Sequence, residues 1–444
     1  MLTITCSPRF NQEKKYIIKV ILGDFLGLDY TLSVDADIAN YVIKLPNGAK
    51  LEFEETNIWK RKNYLNKRNV PTFVEYASNS YTVEKNIPVI LGTTRIKEEV
   101  DYIVCGIDIF ASSFFMLSRW EEFVLPKKDE HNRFPANASL AYKHNFLQRP
   151  IVNEYTEMLW NMLLHLGINQ ERKERTYSLT LTHDVDDPFY WKDNSISKLI
   201  EEVLRGIKHR SAQRAMSRIK SKVKLTNDPF YKFDEILDIS EIHNLKSHFF
   251  FMAGGRTKYD NRYSLNDKRI KMLLAEIERR GHHIGFHPSY DAYKESEIYQ
   301  KELEYLQSHT KKQITTGREH YLRFEVPKTW QIWEQNKMHW DSTMAYADNV
   351  GFRCGTCYTF PVFDILQRKE CKLLEKPLTA MEATLYNYMG LSFAEVCATL
   401  QNLKQNVQKY KGEFVFLWHN SFFHRKDFGS RLEEYKKIIE IIKP

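Results

Sequence analysis

The chain has 444 residues, 43% of them apolar and 14% aromatic, enough for a sizeable core in two or three domains, or in one small domain beside a barrel-sized one. No run approaches the roughly 20 apolar residues of a membrane span, the N-terminus lacks the order of a signal peptide, and six scattered cysteines argue against a disulfide framework, so a cytoplasmic location is expected. The net charge of +8 is local: Arg205, Lys208, Arg210, Arg214, Arg218, Lys220, Lys222 and Lys224 fall between 203 and 224 with no acid among them, which speaks against a general nucleic-acid binder.

Residues 1–150 read as a small mixed α/β domain. Residues 42–53 form a hairpin pattern, with Asn47-Gly48 supplying the turn. Short strands are predicted over 87–91 and 102–105, an apolar helix over 107–122, loops over 123–150 and an amphipathic helix over 151–168. Cys354 and Cys357 form the only close cysteine pair; with no second pair and no following helical run, they read as packing.

Residues 151–444 form the second predicted domain. From 175 onward strands are predicted at 178–182, 247–252, 282–286, 314–318, 340–344, 373–377 and 414–418. Helices are predicted between them at 229–243, 267–280, 294–309, 327–337 and 391–410, with a last one near 430–442. This alternation marks a parallel α/β architecture, and about seven strands fit a distorted (β/α) barrel better than an open sheet. No Gly-rich phosphate loop follows the first strand.

Chemistry-bearing residues gather at the ends of these strands. Thr-His-Asp-Val-Asp-Asp-Pro at 182–188 packs acids where stability gains nothing from them. Asp184 and Asp186 share one side of an extended segment, so one acid is free to act as metal ligand and the other as proton acceptor. Gly-His-His-Ile-Gly-Phe-His-Pro-Ser-Tyr-Asp ends at Asp291, Gly-Arg-Glu-His-Tyr-Leu-Arg spans 317–323, Trp340-Asp341 follows, and Leu-Trp-His-Asn-Ser spans 417–421. A barrel gathers strand ends into one ring, so Asp184, Asp186, His287, Arg318, Asp341 and His419 are expected to converge.

In these motifs and their order, residues 175–444 resemble the polysaccharide deacetylase family (carbohydrate esterase family 4). They are most similar to a bacterial subgroup with an extra N-terminal domain of unknown function. The resemblance implies a distorted (β/α)7 barrel, preceded by a smaller mixed α/β domain, that removes acetyl groups from sugars with a bound divalent metal. That metal would be zinc first, with cobalt, nickel, manganese or iron as alternatives. Carried over residue by residue, Asp184 is the base, Asp186 a ligand (Asp187 ranks lower) and His287 the next ligand. Asp291 stands where the family has a second histidine; it can still ligate, and oxygen donors favour harder metals. Arg318 would hold the base. His320 replaces a proline of the third motif, and is either a substitute ligand or a hydrogen-bonding neighbour. Asp341 would orient His419, the acid.

The expected chemistry needs these residue types. Asp184 takes a proton from water while Arg318 fixes its charge and geometry. A backbone N–H near Tyr321 helps hold the oxyanion, and His419 protonates the leaving group. Tyr321, Trp418 and His320 are the candidate substrate contacts; Trp418 and Phe189-Tyr-Trp191 offer flat faces for a sugar ring, or pack in the core. The basic stretch has apolar residues at helical spacing, and reads as a solvated helix or as an arm meeting an anionic glycolipid or sugar nucleotide. The partners expected are an acetylated sugar or glycan precursor and no nucleic acid; nothing fixes an oligomeric state. Two rival readings are a related amide or imide hydrolase, motivated by Asp291, and a glycan-binding protein that has lost its metal.

Overall fold

A computed structural model of the chain describes residues 1–59, 62, 64–193, 195–208, 211–260, 263–425 and 429–444. Arg210 of the basic stretch lies outside the described residues.

The first half contributes β1 (Leu2–Cys6), β2 (Tyr30–Val34), β3 (Tyr41–Lys44), β4 (Lys50–Phe53), β5 (Glu75–Ala77), β6 (Ile87–Val89), β7 (Gly92–Glu98) and β8 (Tyr102–Ile107). Six of these form one mixed sheet in the order β2-β1-β3-β4-β8-β7, and β5 and β6 pair separately. The hairpin forms: β3 and β4 run antiparallel, with Gly48 at φ 93° in the turn. The long apolar helix is in fact two, Ile109–Leu117 and Trp120–Val124. Arg119 between them adopts a left-handed backbone (φ 54°), which turns its fully buried guanidinium onto Glu122 at 2.9 Å and the Met116 carbonyl at 2.9 Å. A buried charge needs such partners, and helical continuity yields to them.

The second half supplies β9 (Ser178–Val185), β10 (Ser247–Phe251), β11 (His283–Phe286), β12 (Thr316–Gly317), β13 (Trp340–Asp341), β14 (Phe360–Asp364), β15 (Lys369–Glu375), β16 (Ala380–Met381) and β17 (Glu413–Leu417). They form a nine-stranded sheet in the order β14-β15-β13-β12-β11-β10-β9-β17-β16. Every pairing is parallel except β14 with β15. The fold is thus mixed α/β with a parallel sheet whose hydrogen-bonded order ends at β14 and β16. The inner strands read as near-continuous apolar runs, as strands covered on both faces do; Phe249, Phe250 and Phe251 are all fully buried.

One continuous apolar core joins the two halves. Glu122 also takes Arg353 at 2.6 and 2.8 Å, and the Tyr16 hydroxyl donates to the Pro361 carbonyl at 2.8 Å. Helix Ile151–His165 packs on Ile109–Leu117, and its Tyr155 hydroxyl donates to the Pro88 carbonyl.

Candidate functional site

Parallel pairing sends the C-terminal ends of β9, β11, β12, β13 and β17 to one edge of the sheet, where ligands of α/β folds bind. Asp184 lies within β9 and Asp186 just after it; His287 directly follows β11, Arg318 follows β12, and His419 lies two residues past β17. Gly317 makes the approach of β12 to β11 possible. A Cβ there would sit 1.9 Å from the Phe286 carbonyl oxygen, so any side chain would push Arg318 out of place.

Arg318 is fully buried and donates along its whole fork. Its Nε reaches the Ser342 carbonyl at 2.8 Å, Nη2 the Ser342 hydroxyl at 3.0 Å, and Nη1 both Thr182 Oγ1 at 3.0 Å and Asp184 Oδ1 at 2.9 Å. The first carboxylate is therefore fixed on one oxygen by a charge-assisted bond. Its other oxygen, Oδ2, lies 3.8 Å from His287 Nε2.

Asp186, His287 and His320 each offer a ligand atom within 4.8 Å of the others, the one such cluster of three or more His, Cys, Asp or Glu among the described residues. His287 Nε2 lies 3.1 Å and His320 Nε2 3.7 Å from Asp186 Oδ1. His287 Nδ1 meets the Arg318 carbonyl at 2.6 Å, which fixes the tautomer and leaves Nε2 free to ligate. His320 Nδ1 faces Asp260 Oδ1 at 3.7 Å. Asp260 is itself held by the backbone N–H groups of Arg256, Thr257 and Tyr290. Asp186 Oδ1 is buried and, among the described residues, faces no polar group closer than His287 Nε2 at 3.1 Å, leaving room for an ion to satisfy it. Burial alone would raise the Asp186 carboxyl, but His320, His287 and His419 outweigh it and hold it well below the usual carboxylate range. Burial would lower His287, yet Asp184 and Asp186 push it up. That is the negative potential a bound cation would meet, and two imidazoles plus a carboxylate fit a divalent metal.

On the other side, His419 Nε2 lies 3.7 Å from Asp186 Oδ2, and its Nδ1 meets Glu382 Oε1 at 2.5 Å. Burial opposes the charge on this ring, but the fully buried Glu382 outweighs it and raises His419 to about 10. An imidazolium held this way is an acid ready at neutral pH.

Several expected residues lie elsewhere. Asp291 is outside the ligand cluster: its half-exposed carboxylate pairs with Arg323 at 3.0 Å, because Asp291 already belongs to the loop turning into the short helix Ala292–Lys294. Asp341 does not orient His419. It is buried against Glu375 and takes the Thr343 hydroxyl at 2.5 Å; burial raises both acids, and the charge of Asp341 raises Glu375 further. Trp418 presents no face to a sugar, being fully buried among Phe423, Phe422 and Tyr435. Phe189 and Trp191 are buried as well, Trp191 under Arg214 and Arg218. Asp187 pairs with Lys192 at 2.7 Å, and both close cysteines are buried free thiols. Tyr321 does border the site, with its ring 4.7 Å from that of His320 and a left-handed backbone at φ 61°.

Three contributors were missed by sequence reasoning. Glu382 follows a strand of two residues, β16, too short for any periodic signal. Asp260 lies in the loop after β10, a strand end whose acid went unread. Arg133, from the predicted loop region, donates Nη1 to the Tyr321 carbonyl at 3.0 Å, and the His131 carbonyl accepts from Arg323 Nε at 2.9 Å. The His131 ring lies 4.8 Å from that of Tyr321, so the first half supplies part of the site's wall.

Residues 2–167 match the model of a family of unknown function (DUF7033). No curated protein sequence matches the chain. Among solved structures, a candidate polysaccharide deacetylase from Mycobacterium smegmatis aligns at 14% identity and TM-score 0.40, covering 60% of this chain and 84% of that one. The Bc1960 peptidoglycan N-acetylglucosamine deacetylase aligns at 15% and 0.29, covering 60% and 81%. BA3943, a CE4 family pseudoenzyme from Bacillus anthracis, aligns at 12% and 0.30, covering 61% of each chain. At such scores no residue of this chain takes a role from them.

Proposed function

We propose that the chain is a metal-dependent hydrolase that removes acetyl groups from N-acetylated sugars, acting in the cytoplasm on a precursor of a surface polysaccharide. One observation carries the reading. A carboxylate fixed by a buried arginine (Asp184–Arg318, 2.9 Å) and a carboxylate-held histidine (His419–Glu382, 2.5 Å) flank one ligand cluster of Asp186, His287 and His320. The motif resemblance names the substrate class, and the flanking pair supplies the acid and base that amide hydrolysis needs. His320 in the ligand set removes the reason for preferring another amide or imide, since the cluster is again one acid and two histidines. Zinc suits these donors, with cobalt, nickel, manganese or iron as alternatives. A divalent ion there would polarise the acetyl carbonyl and acidify water.

The side chains divide the remaining work. Asp184 accepts the proton of the attacking water, and Arg318 keeps its carboxylate oriented. His419 carries a proton on Nε2 toward the leaving nitrogen, while Glu382 holds Nδ1 and sets the tautomer. Tyr321 lends a backbone N–H to the developing oxyanion, and its left-handed backbone is held by Arg133. In this reading the nine-stranded sheet is the wall of a distorted (β/α)7 barrel. The N-terminal unit extends past residue 150 to include helix Ile151–His165, which packs on it and lies within the family match.

The test is acetate release from N-acetylglucosamine oligomers by metal-loaded wild type and Asp184→Asn. A positioned base contributes about a hundredfold to ten-thousandfold, so the variant should lose that much rate while keeping its metal. Loaded wild-type protein that releases no acetate from any N-acetylated sugar would overturn the proposal.

A further inference from the structure

Of the basic stretch, Arg205 and Lys208 lie in helix Ile196–Lys208, and Arg214, Arg218, Lys220 and Lys222 in helix Ala212–Val223. They pack antiparallel: Gly206 lies against Ala215, where an added Cβ would meet the alanine Cβ at 3.0 Å, and Glu202 pairs with Arg214 at 2.6 Å. The hairpin is moored to the loop leaving the catalytic strand. The buried Arg218 donates to the Asp193 carbonyl at 2.7 Å and lies over the Trp191 ring. Ten positions along the chain separate Ile196 from Asp186, and the loop between them carries Trp191 and Asp193, to which the hairpin is tied.

Its outer surface is unusual. The first helix exposes Ile196, Ile200, Leu204 and Ile207 at 55–68%, a spacing that lines one face. The second exposes Met216, Ile219 and Val223, the last at 84%. Seven of the twenty-one exposed large apolar side chains among the described residues fall in these two helices. Counting about 100° per residue from the Gly206–Ala215 contact, both stripes point to the same side of the pair. Lys208, Lys220 and Lys224 are exposed beside them and make no ion pair with a described residue. No helix of the described residues is long and apolar enough to cross a membrane.

We infer that this hairpin docks the protein on an anionic lipid bilayer, its apolar stripe in the headgroup boundary and its lysines on the lipid phosphates. A short amphipathic element with a basic margin lies in such an interface rather than through it, and juxtaposed lysines are drawn to acidic leaflets. A second copy is disfavoured as occupant, because pairing two stripes would bring two such basic margins together.

The experiment is flotation of the full chain with vesicles of phosphatidylcholine alone or with phosphatidylglycerol. Wild type should bind the anionic vesicles at least tenfold better than neutral ones, and salt should weaken the binding. Ile200→Asp/Leu204→Asp and, separately, Lys208→Glu/Lys220→Glu/Lys224→Glu should each lose that binding at least tenfold with the circular dichroism of wild type. Equal binding to both vesicle types, no binding to anionic vesicles, or a wild-type dimer in solution that the stripe variant dissociates, would overturn the inference. The readout needs no catalysis, so it fails or succeeds independently of the proposed hydrolysis.

Discussion

Glu382→Gln isolates the charge that raises His419. The glutamine keeps a side-chain oxygen near Nδ1 but removes the buried negative charge now 2.5 Å away. His419 stands at about 10 against an ordinary value near 6.5. At about 1.4 kcal/mol per pH unit, that is about 5 kcal/mol in favour of the imidazolium. Asp186 and Asp184 share in this, after Glu382 as the leading cause. An opposite charge in contact moves a pKa by about 1–3 units, so the variant should titrate about two units lower. The sign for stability follows. A raised histidine stabilises the fold fully below about pH 6.5 and loses that contribution as pH rises toward 10, so Glu382→Gln should cost more at pH 6 than at pH 10. The assays are an NMR titration of the His419 ring and the pH profile of acetate release. A cation at Asp186 lowers His419 in both proteins, so the difference between them is what counts. An unchanged His419 titration in a folded variant would refute the reasoning.

Arg318→Met leaves Asp184 buried without its cation and should destabilise the fold by about 3–5 kcal/mol, read as a lower denaturant midpoint with unchanged slope. Arg133→Met removes the donor to the Tyr321 carbonyl; kcat should fall at least tenfold with metal content and melting temperature near wild type. The acids Asp341 and Glu375 hold their protons in the folded state, so stability should fall as pH rises above about 4, where the unfolded carboxyls ionise. Asp341→Asn should flatten that slope in urea midpoints measured between pH 4 and 7, without moving the His419 titration.

The convergence of the candidate site's residues was legible because strand ends gather in a parallel sheet and most of the strands were long enough to read. Asp184, Asp186, His287 and His419 each follow or end a recognisable apolar run, while Arg318 follows the two-residue β12 and was legible from its motif; parallel pairing brings all five strand ends together. Legibility failed where short elements decide position. Nothing in the sequence distinguishes Asp291 from His320 as the candidate third ligand. The choice rests on His320 lying in a tight loop after the two-residue β12, while Asp291 has already turned toward Arg323. Glu382 was hidden by an equally short strand, and Asp341 matched a motif while its side chain faced Glu375. Trp418 looked like a sugar platform because aromatic content says nothing of facing; the strand places it in the core. Arg133 was invisible because its partner is a backbone carbonyl 188 residues away.

The account turns most directly on the ligand set, which metal analysis of wild type, His320→Ala and Asp291→Ala purified in parallel would read. Wild type and Asp291→Ala should each carry one divalent ion per chain, and His320→Ala should lose most of it while remaining folded. Metal retained in His320→Ala and lost in Asp291→Ala would contradict the site described above.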